Sequence, residues 1–290
     1  MSQLSRYEHS GEFSIVSLVP AAGLGAAVAL GVGWVYAYAI YYIPFIYINA
    51  ILAAGFGFAV AYISAYALRF GRVRNTTVFS AGMLLIAGIG FLAHWGAWVA
   101  IVVRASGYEA SSWAVMTQPL AMWETILAIN EVGVWSLFGT DVSGVALWAV
   151  WAVEAGIIFG VGFVVSHGEF HALPFCERCE TWCKKSANVA RLWHTDPQAV
   201  VDAFDQGDLG ALDSFEIVDR DLTQGSWLEC EIDSCGDCGG THTLDVSLVH
   251  AVPDEGGKVS RDATPVLTNL LLSQQQADEI RSLGVARVGA

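Results

Sequence analysis

Charge is what this sequence has least of. Asp, Glu, Lys and Arg make up 14% of its 290 residues, against about 25% in an ordinary soluble domain. No charged residue occurs between Ser14 and Leu68, and none between Asn75 and Val103. Apolar runs of that length are too long for a buried core helix and long enough to cross a bilayer. A single soluble globular enzyme is therefore excluded. Cysteine is missing from the first 175 residues, and all six cysteines fall between Cys176 and Cys238. With 30 glycines and 7 prolines, the chain is neither collagen-like nor disordered, and it is not a disulfide miniprotein. It also lacks the G-x-S-x-G elbow of a hydrolase and the G-x4-G-K loop of a phosphate-binding enzyme.

The net charge of −14 is distributed unevenly. Residues 1–166 carry seven acids and five bases, and the remaining 21 acids and 9 bases follow. The tail alone therefore holds a balance of −12. This division predicts an N-terminal segment 1–14, a transmembrane domain 15–166 and an acidic, cysteine-bearing domain 167–290.

The run 15–68 is about twice the length of one span and must fold back on itself. Pro44 marks the break, because proline removes a backbone donor and disfavours helix in the residue before it. Spans are expected at 15–41, 45–68, 77–103 and 144–166. Tyr36, Tyr38, Tyr41, Tyr42 and Tyr47 cluster near the first turn, as an interfacial aromatic belt would. Arg69, Arg72 and Arg74 place the loop between spans two and three in the cytoplasm by the positive-inside rule. Both termini then lie on that side, and Arg178, Lys184 and Lys185 agree with this. Arg104, on the outer side, runs against it. Segment 105–143, with Trp113, Trp123, Trp135 and Pro119, is expected to lie in the outer interface or dip part way. Glu124, Asn130 and Glu131 would be costly at the bilayer centre.

Two ionisable residues interrupt the spans, His94 in the third and Glu154 in the fourth. Counted from the outer ends, both lie roughly 14–15 Å deep at 1.5 Å per residue, so antiparallel neighbours would bring them into contact. Such residues pair with one another, and they serve either as structural ties or as ion and proton pathways. Asn49 is the other strongly polar residue within a span. Gly23, Gly25, Gly31 and Gly33 in span one, and the G-x-x-x-G of Gly156 and Gly160 in span four, are expected to seat helices closely inside the bundle. A seam between copies in a homo-oligomer is the alternative. No haem-ligating His pair or retinal lysine occurs across the spans, so oxygen or quinone chemistry has no motif behind it.

In the tail, Cys176-Glu177-Arg178-Cys179 and Cys235-Gly236-Asp237-Cys238-Gly239-Gly240 form two C-x2-C pairs. They resemble the paired knuckles of zinc-ribbon domains. In a knuckle both thiolates point at one ion, backbone amides bond back to the sulfurs, and a following glycine supplies a positive φ. The resemblance implies one structural Zn²⁺ per chain held by Cys176, Cys179, Cys235 and Cys238. A split arrangement would instead use Cys183 and His171 with the first pair, and Cys230 and His242 with the second. A redox C-x2-C is a third possibility, although neither pair opens a helix. Trp227–Ile232 and Thr241–Val249 read as strands flanking the second knuckle. The 55 residues between Cys179 and Cys235 exceed the usual ribbon spacing and include an expected helix 197–206 capped by Asp196. A closing helix 274–283 is expected behind Ser273 as cap.

The fold class expected is thus an α-helical integral membrane protein with four transmembrane helices and an α+β, zinc-ribbon-like cytosolic domain. The function expected is a non-enzymatic membrane scaffold or adaptor whose acidic domain binds a protein partner, since its charge repels nucleic acid and anionic lipid. The alternatives are a small channel or transporter component using His94 and Glu154, and a membrane thiol–disulfide oxidoreductase.

Overall fold

The computed structural model describes residues 5–43, 45–133, 136–137, 140–185, 190–193, 198–199, 202, 216–218, 224–253 and 258–285. They divide into two compact units. One is Ser10–Ala172, and the other combines Met1–His9 with Leu173–Ala290.

Four helices in the first unit are long and apolar enough to cross a membrane. These are α1 (Ile15–Tyr42), α2 (Ile46–Phe70), α3 (Thr76–Ala105) and α6 (Gly144–His171). The gap between α1 and α2 falls where Pro44 predicts it, although Pro44 itself lies outside the described residues. Asn75 caps α3 by accepting from the Val78 amide at 3.0 Å, which satisfies one orphan donor of the first turn. Arg69 closes α2 by pairing with Glu169 of α6 at 2.8 Å. Its guanidinium also donates to the Glu169 carbonyl.

Buried side chains form three successive clusters along the bundle. Ala97, Trp98, Ile101, Leu147 and Trp151 belong to one, with Ile126 and Ile129 added from segment 105–143. Ala29, Tyr36, Phe56, Val60, Ile86 and Ile158 make the middle. Leu68, Phe79, Met83 and Phe170 fill the third. The outward side chains are apolar as well, among them Val16, Tyr47, Val145 and Phe163. In water this surface would be an association hazard, whereas acyl chains cover it without penalty.

The glycines sort into two groups. A Cβ on Gly33 would collide with the Gly90 carbonyl of α3, and one on Gly57 would meet the Ile158 carbonyl at 2.5 Å. These are true close-approach positions. Gly156 and Gly160 are different, for among the described residues nothing lies within 4 Å of a Cβ on either. The expectation that this G-x-x-x-G packs inside the bundle is therefore corrected. The packed side of α6 carries Leu147, Trp151 and Ile158, and Gly156 is two residues, hence about 200°, away from Ile158 on the helix.

Segment 105–143 folds as α4 (Ser112–Met116), α5 (Pro119–Val132) and a two-stranded ribbon of β1 (Ser136–Leu137) and β2 (Thr140–Asp141). With 14 residues, α5 is about 21 Å long, short of the roughly 30 Å hydrocarbon core. Buried Asn130 donates to the Gly144 carbonyl at 3.0 Å, and Trp113 and Trp123 remain exposed. Trp135 lies outside the described residues.

The second unit is β-rich. Its small strands are β3 (Phe175–Cys176), β4 (Thr181–Trp182), β5 (Lys184–Lys185) and β6 (Ala190–Leu192). Three long ones follow, β7 (Gly225–Ser234), β8 (His242–Pro253) and β9 (Val259–Leu272), then α7 (Gln274–Val285). The main sheet runs β5-β7-β8-β9, with β6 also beside β7. Alternation over residues 228–232 of β7 buries Leu228, Cys230 and Ile232, which face Leu248, Val246 and Leu244 across the ladder. Ala277 and Ile280 of α7 complete this core. Ser273 caps α7 by accepting from the Gln276 amide, and Gln276 accepts in return from the Ser273 amide, a capping box.

Both expected strands extend further than their apolar patterns, and β9 goes beyond them. Pro265 disguises it, since proline is confined to edges and bulges of sheets. It sits opposite Ser247, next to a register shift between Val246 and Ser247. A second shift brings Asn269 to φ 57°, where its amide donates to Asp245 at 2.6 Å. The N-terminal residues join this same edge. The Tyr7 amide donates to the Asn269 carbonyl, and the Leu271 amide to the Ser5 carbonyl. The expected helix 197–206 lies largely outside the described residues.

Candidate functional site

The first knuckle is the turn between β3 and β4. It presents Cys176 at the end of β3 and Cys179 in the turn, and Glu180 follows at φ 51°. The second is the turn between β7 and β8, with Cys235, Cys238 and then Gly239 at φ 60°. The residue after the second cysteine thus takes the left-handed conformation in both turns, though only the second uses glycine for it. The Gly240 amide donates to the Cys238 sulfur at 3.3 Å. The Cys235 amide bonds to the Thr241 carbonyl and the Gly239 amide to the Cys235 carbonyl, which closes the loop.

Pairing of β5 with β7 brings the knuckles together. Lys184 lies opposite Ser234, so the chain just beyond Cys183 runs beside the residue before Cys235. The long spacing between the pairs is thereby bridged at its base, and within it Ala190–Leu192 of β6 pairs with β7 as well.

The four sulfurs of Cys176, Cys179, Cys235 and Cys238 all lie within 4.8 Å of one another. Cys176 Sγ is 3.6 Å from Cys238 Sγ, which is 3.7 Å from Cys235 Sγ. A tetrahedron with Zn–S bonds of about 2.3 Å has edges of about 3.8 Å. The spacing therefore suits a zinc-ribbon-like knuckle pair. All six cysteines are free thiols.

The local electrostatics also favour a cation. Burial pushes the Cys176 thiol up, but the Thr241 side chain, the Cys179 backbone and the Cys235 and Cys238 thiols together bring it down to about 6. Cys179 is pushed up to about 12, chiefly by hydrogen bonding to Cys238. A divalent ion binds cysteine as the thiolate and displaces the ligand protons.

The other candidate ligands are placed elsewhere. Cys183 is buried beside the cluster, and burial followed by the nearby Cys235 raises its thiol to about 12. Burial does the same to Cys230, which packs in the sheet core. Both behave as small apolar side chains. His242 has both ring nitrogens bonded, Nδ1 with Ser234 Oγ and Nε2 with Gln274 Oε1, each at 2.8 Å. His171 ends α6 in the helical unit, with its ring edge-on to His167 and Phe170. Among the described residues, the four-cysteine group is the cluster able to hold a metal.

In the helical unit, His94 Nε2 lies 3.8 Å from Glu154 Oε1. Sequence reasoning missed the third member, Tyr36, whose hydroxyl donates to that same oxygen at 2.6 Å. Its ring stacks on Phe56 with centroids 4.6 Å apart. One tyrosine among several near the first turn carries no mark of this role in the sequence. Asn49 Oδ1 has no hydrogen bond among the described residues, and it lines the same cavity as His94 and Glu154.

No family model matches the chain, and neither a curated protein nor a solved structure matches it.

Proposed function

We propose that the chain is a multi-pass membrane protein whose tail is a zinc-stapled β module on the cytoplasmic side that docks a protein partner. The observation that carries this reading is the four-sulfur cluster with edges near those of a zinc tetrathiolate. A site with four thiolates has no open position, so its ion holds the two knuckles together and does not activate water or substrate. Small domains with limited cores depend on such staples.

The sheet supports an even number of membrane crossings. Residues before α1 and residues after α6 belong to one folded unit, so both flanks lie on the same side and the number of crossings is even. This supports four spans, with segment 105–143 staying on the far side. The reducing cytoplasm keeps thiolates available for zinc. The acidic balance of the tail suits a basic protein surface and disfavours nucleic acid. Pull-down with the zinc-loaded full chain, at low and at raised salt, tests this. Specific capture of a basic protein that weakens with salt supports docking, and absence of any salt-sensitive partner counts against it.

The approach of His94 to Glu154 favours a second reading, a channel or transporter component. Phe56, Val60, Ile86 and Ile158, all buried, fill the bundle next to the pair, and a path within one chain would have to pass them. Flux in proteoliposomes that disappears in Glu154→Gln would support this reading, and absence of flux would remove it.

A further inference from the structure

A cavity of about 610 Å³ lies between α2, α3 and α6 and reaches from Ser106 and Gly133 down to His94 and Glu154. Its volume is in the range that holds a small organic ligand. Trp95, Trp98 and Trp151 wall it and meet edge-on, with centroids 5.2 to 5.9 Å apart.

The polar groups lining this cavity are unusual for their lack of partners. His94 is only 2% exposed, and among the described residues neither of its ring nitrogens has a hydrogen bond; the same is true of the buried Asn49 Oδ1. Leaving such groups unpaired inside a bundle is unfavourable, because each loses its bonds to water without replacement. Glu154 is 19% exposed and accepts only from Tyr36 among the described hydrogen bonds. A ligand that relieves these groups must both donate and accept, which a hydroxyl does.

The rim shows where the ligand comes from. Ile46 and Val153 line the cavity and are 42% and 62% exposed, and Ala50 and Ala149 beside them are exposed too. On helices that cross a bilayer, such a rim opens to acyl chains. We propose that this cavity binds a lipid-soluble quinol, its ring among the tryptophans and its hydroxyls toward Asn49, His94 and Glu154. The proposal requires only that the four helices cross a bilayer, and it is independent of the zinc reading.

The test is titration of the full-length protein in lipid nanodiscs with decylubiquinol under argon, read by tryptophan emission. Saturable quenching is expected, and decylbenzene, which has the tail but no oxygen, should not compete. Asn49→Leu and Glu154→Leu should each raise the half-saturation concentration at least tenfold. Ala149→Phe, which fills the mouth and leaves every polar group in place, should abolish saturation. Quenching that never saturates, equal competition by decylbenzene, or folded variants that bind like the parent would each overturn the proposal. Should a variant fail to fold, the decylbenzene competition on the parent protein still decides it. Zinc content plays no part in this readout, so its outcome is separable from that of the metal centre.

Discussion

The Tyr7 amide donates to the Asn269 carbonyl at 2.7 Å, tying a residue before the first helix to a strand near the other end of the chain. The Tyr7 hydroxyl accepts from the Phe175 amide at 2.9 Å, one residue before the first metal-ligand candidate. These bonds join both flanks of the helical segment in one sheet unit, which is the basis of the proposed even number of crossings.

The topology this implies is directly testable. A protease site inserted after Ser10 and another within the tail should be cut from the same face of oriented proteoliposomes. A site inserted at Gly107 should be cut only from the opposite face. Cutting at Gly107 and Ser10 from one face would contradict four crossings.

The two groups of glycine should respond differently to side chains. Gly33→Leu places bulk against the Gly90 carbonyl, and overpacking of this kind costs about 1–3 kcal/mol or more. A clear drop in the thermal midpoint of the helical unit is expected. Gly156→Leu meets open space and should leave that midpoint unchanged. Equal effects of the two would contradict the packing described.

Asp245 gives a pH signature. Burial raises its carboxyl above the ordinary value, although the Asn269 amide and Lys185 pull the other way. The folded tail therefore holds this proton more tightly than the unfolded chain does. Its contribution favours folding at low pH and is lost as pH rises from about 4 through the folded-state value. Asp245→Asn keeps an oxygen for the Asn269 amide. The variant should gain stability over the parent as pH rises through this window, measured as the difference in unfolding midpoint. A constant difference across pH would contradict the assignment.

How much was legible beforehand depended on whether a local pattern existed. The long helices announce themselves through uncharged runs, and the knuckles through C-x2-C with its trailing glycine. Strand β9 is hidden because Pro265 argues against a strand, and only the bulge next to it in the same strand makes room. Pairing of Ser5 and Tyr7 with β9 depends on backbone bonds, which leave no pattern in side chains. The contact of His94 with Glu154 follows from a depth count, but the cavity around them is lined from several helices at once, a matter of packing and not of spacing. The misassignment of Gly156 and Gly160 has a similar origin. G-x-x-x-G marks a smooth helix face without saying what lies against it.

The central claim is that Cys176, Cys179, Cys235 and Cys238 hold one zinc ion that staples the tail. Elemental analysis of the purified full-length protein measures this most directly, beside the four single Cys→Ser variants and Cys183→Ser. The account predicts about one zinc per chain in the parent and in Cys183→Ser, with loss of zinc and a lower tail melting point in each of the four. A metal-free parent, or zinc that survives in the four variants and is lost with Cys183, would contradict it.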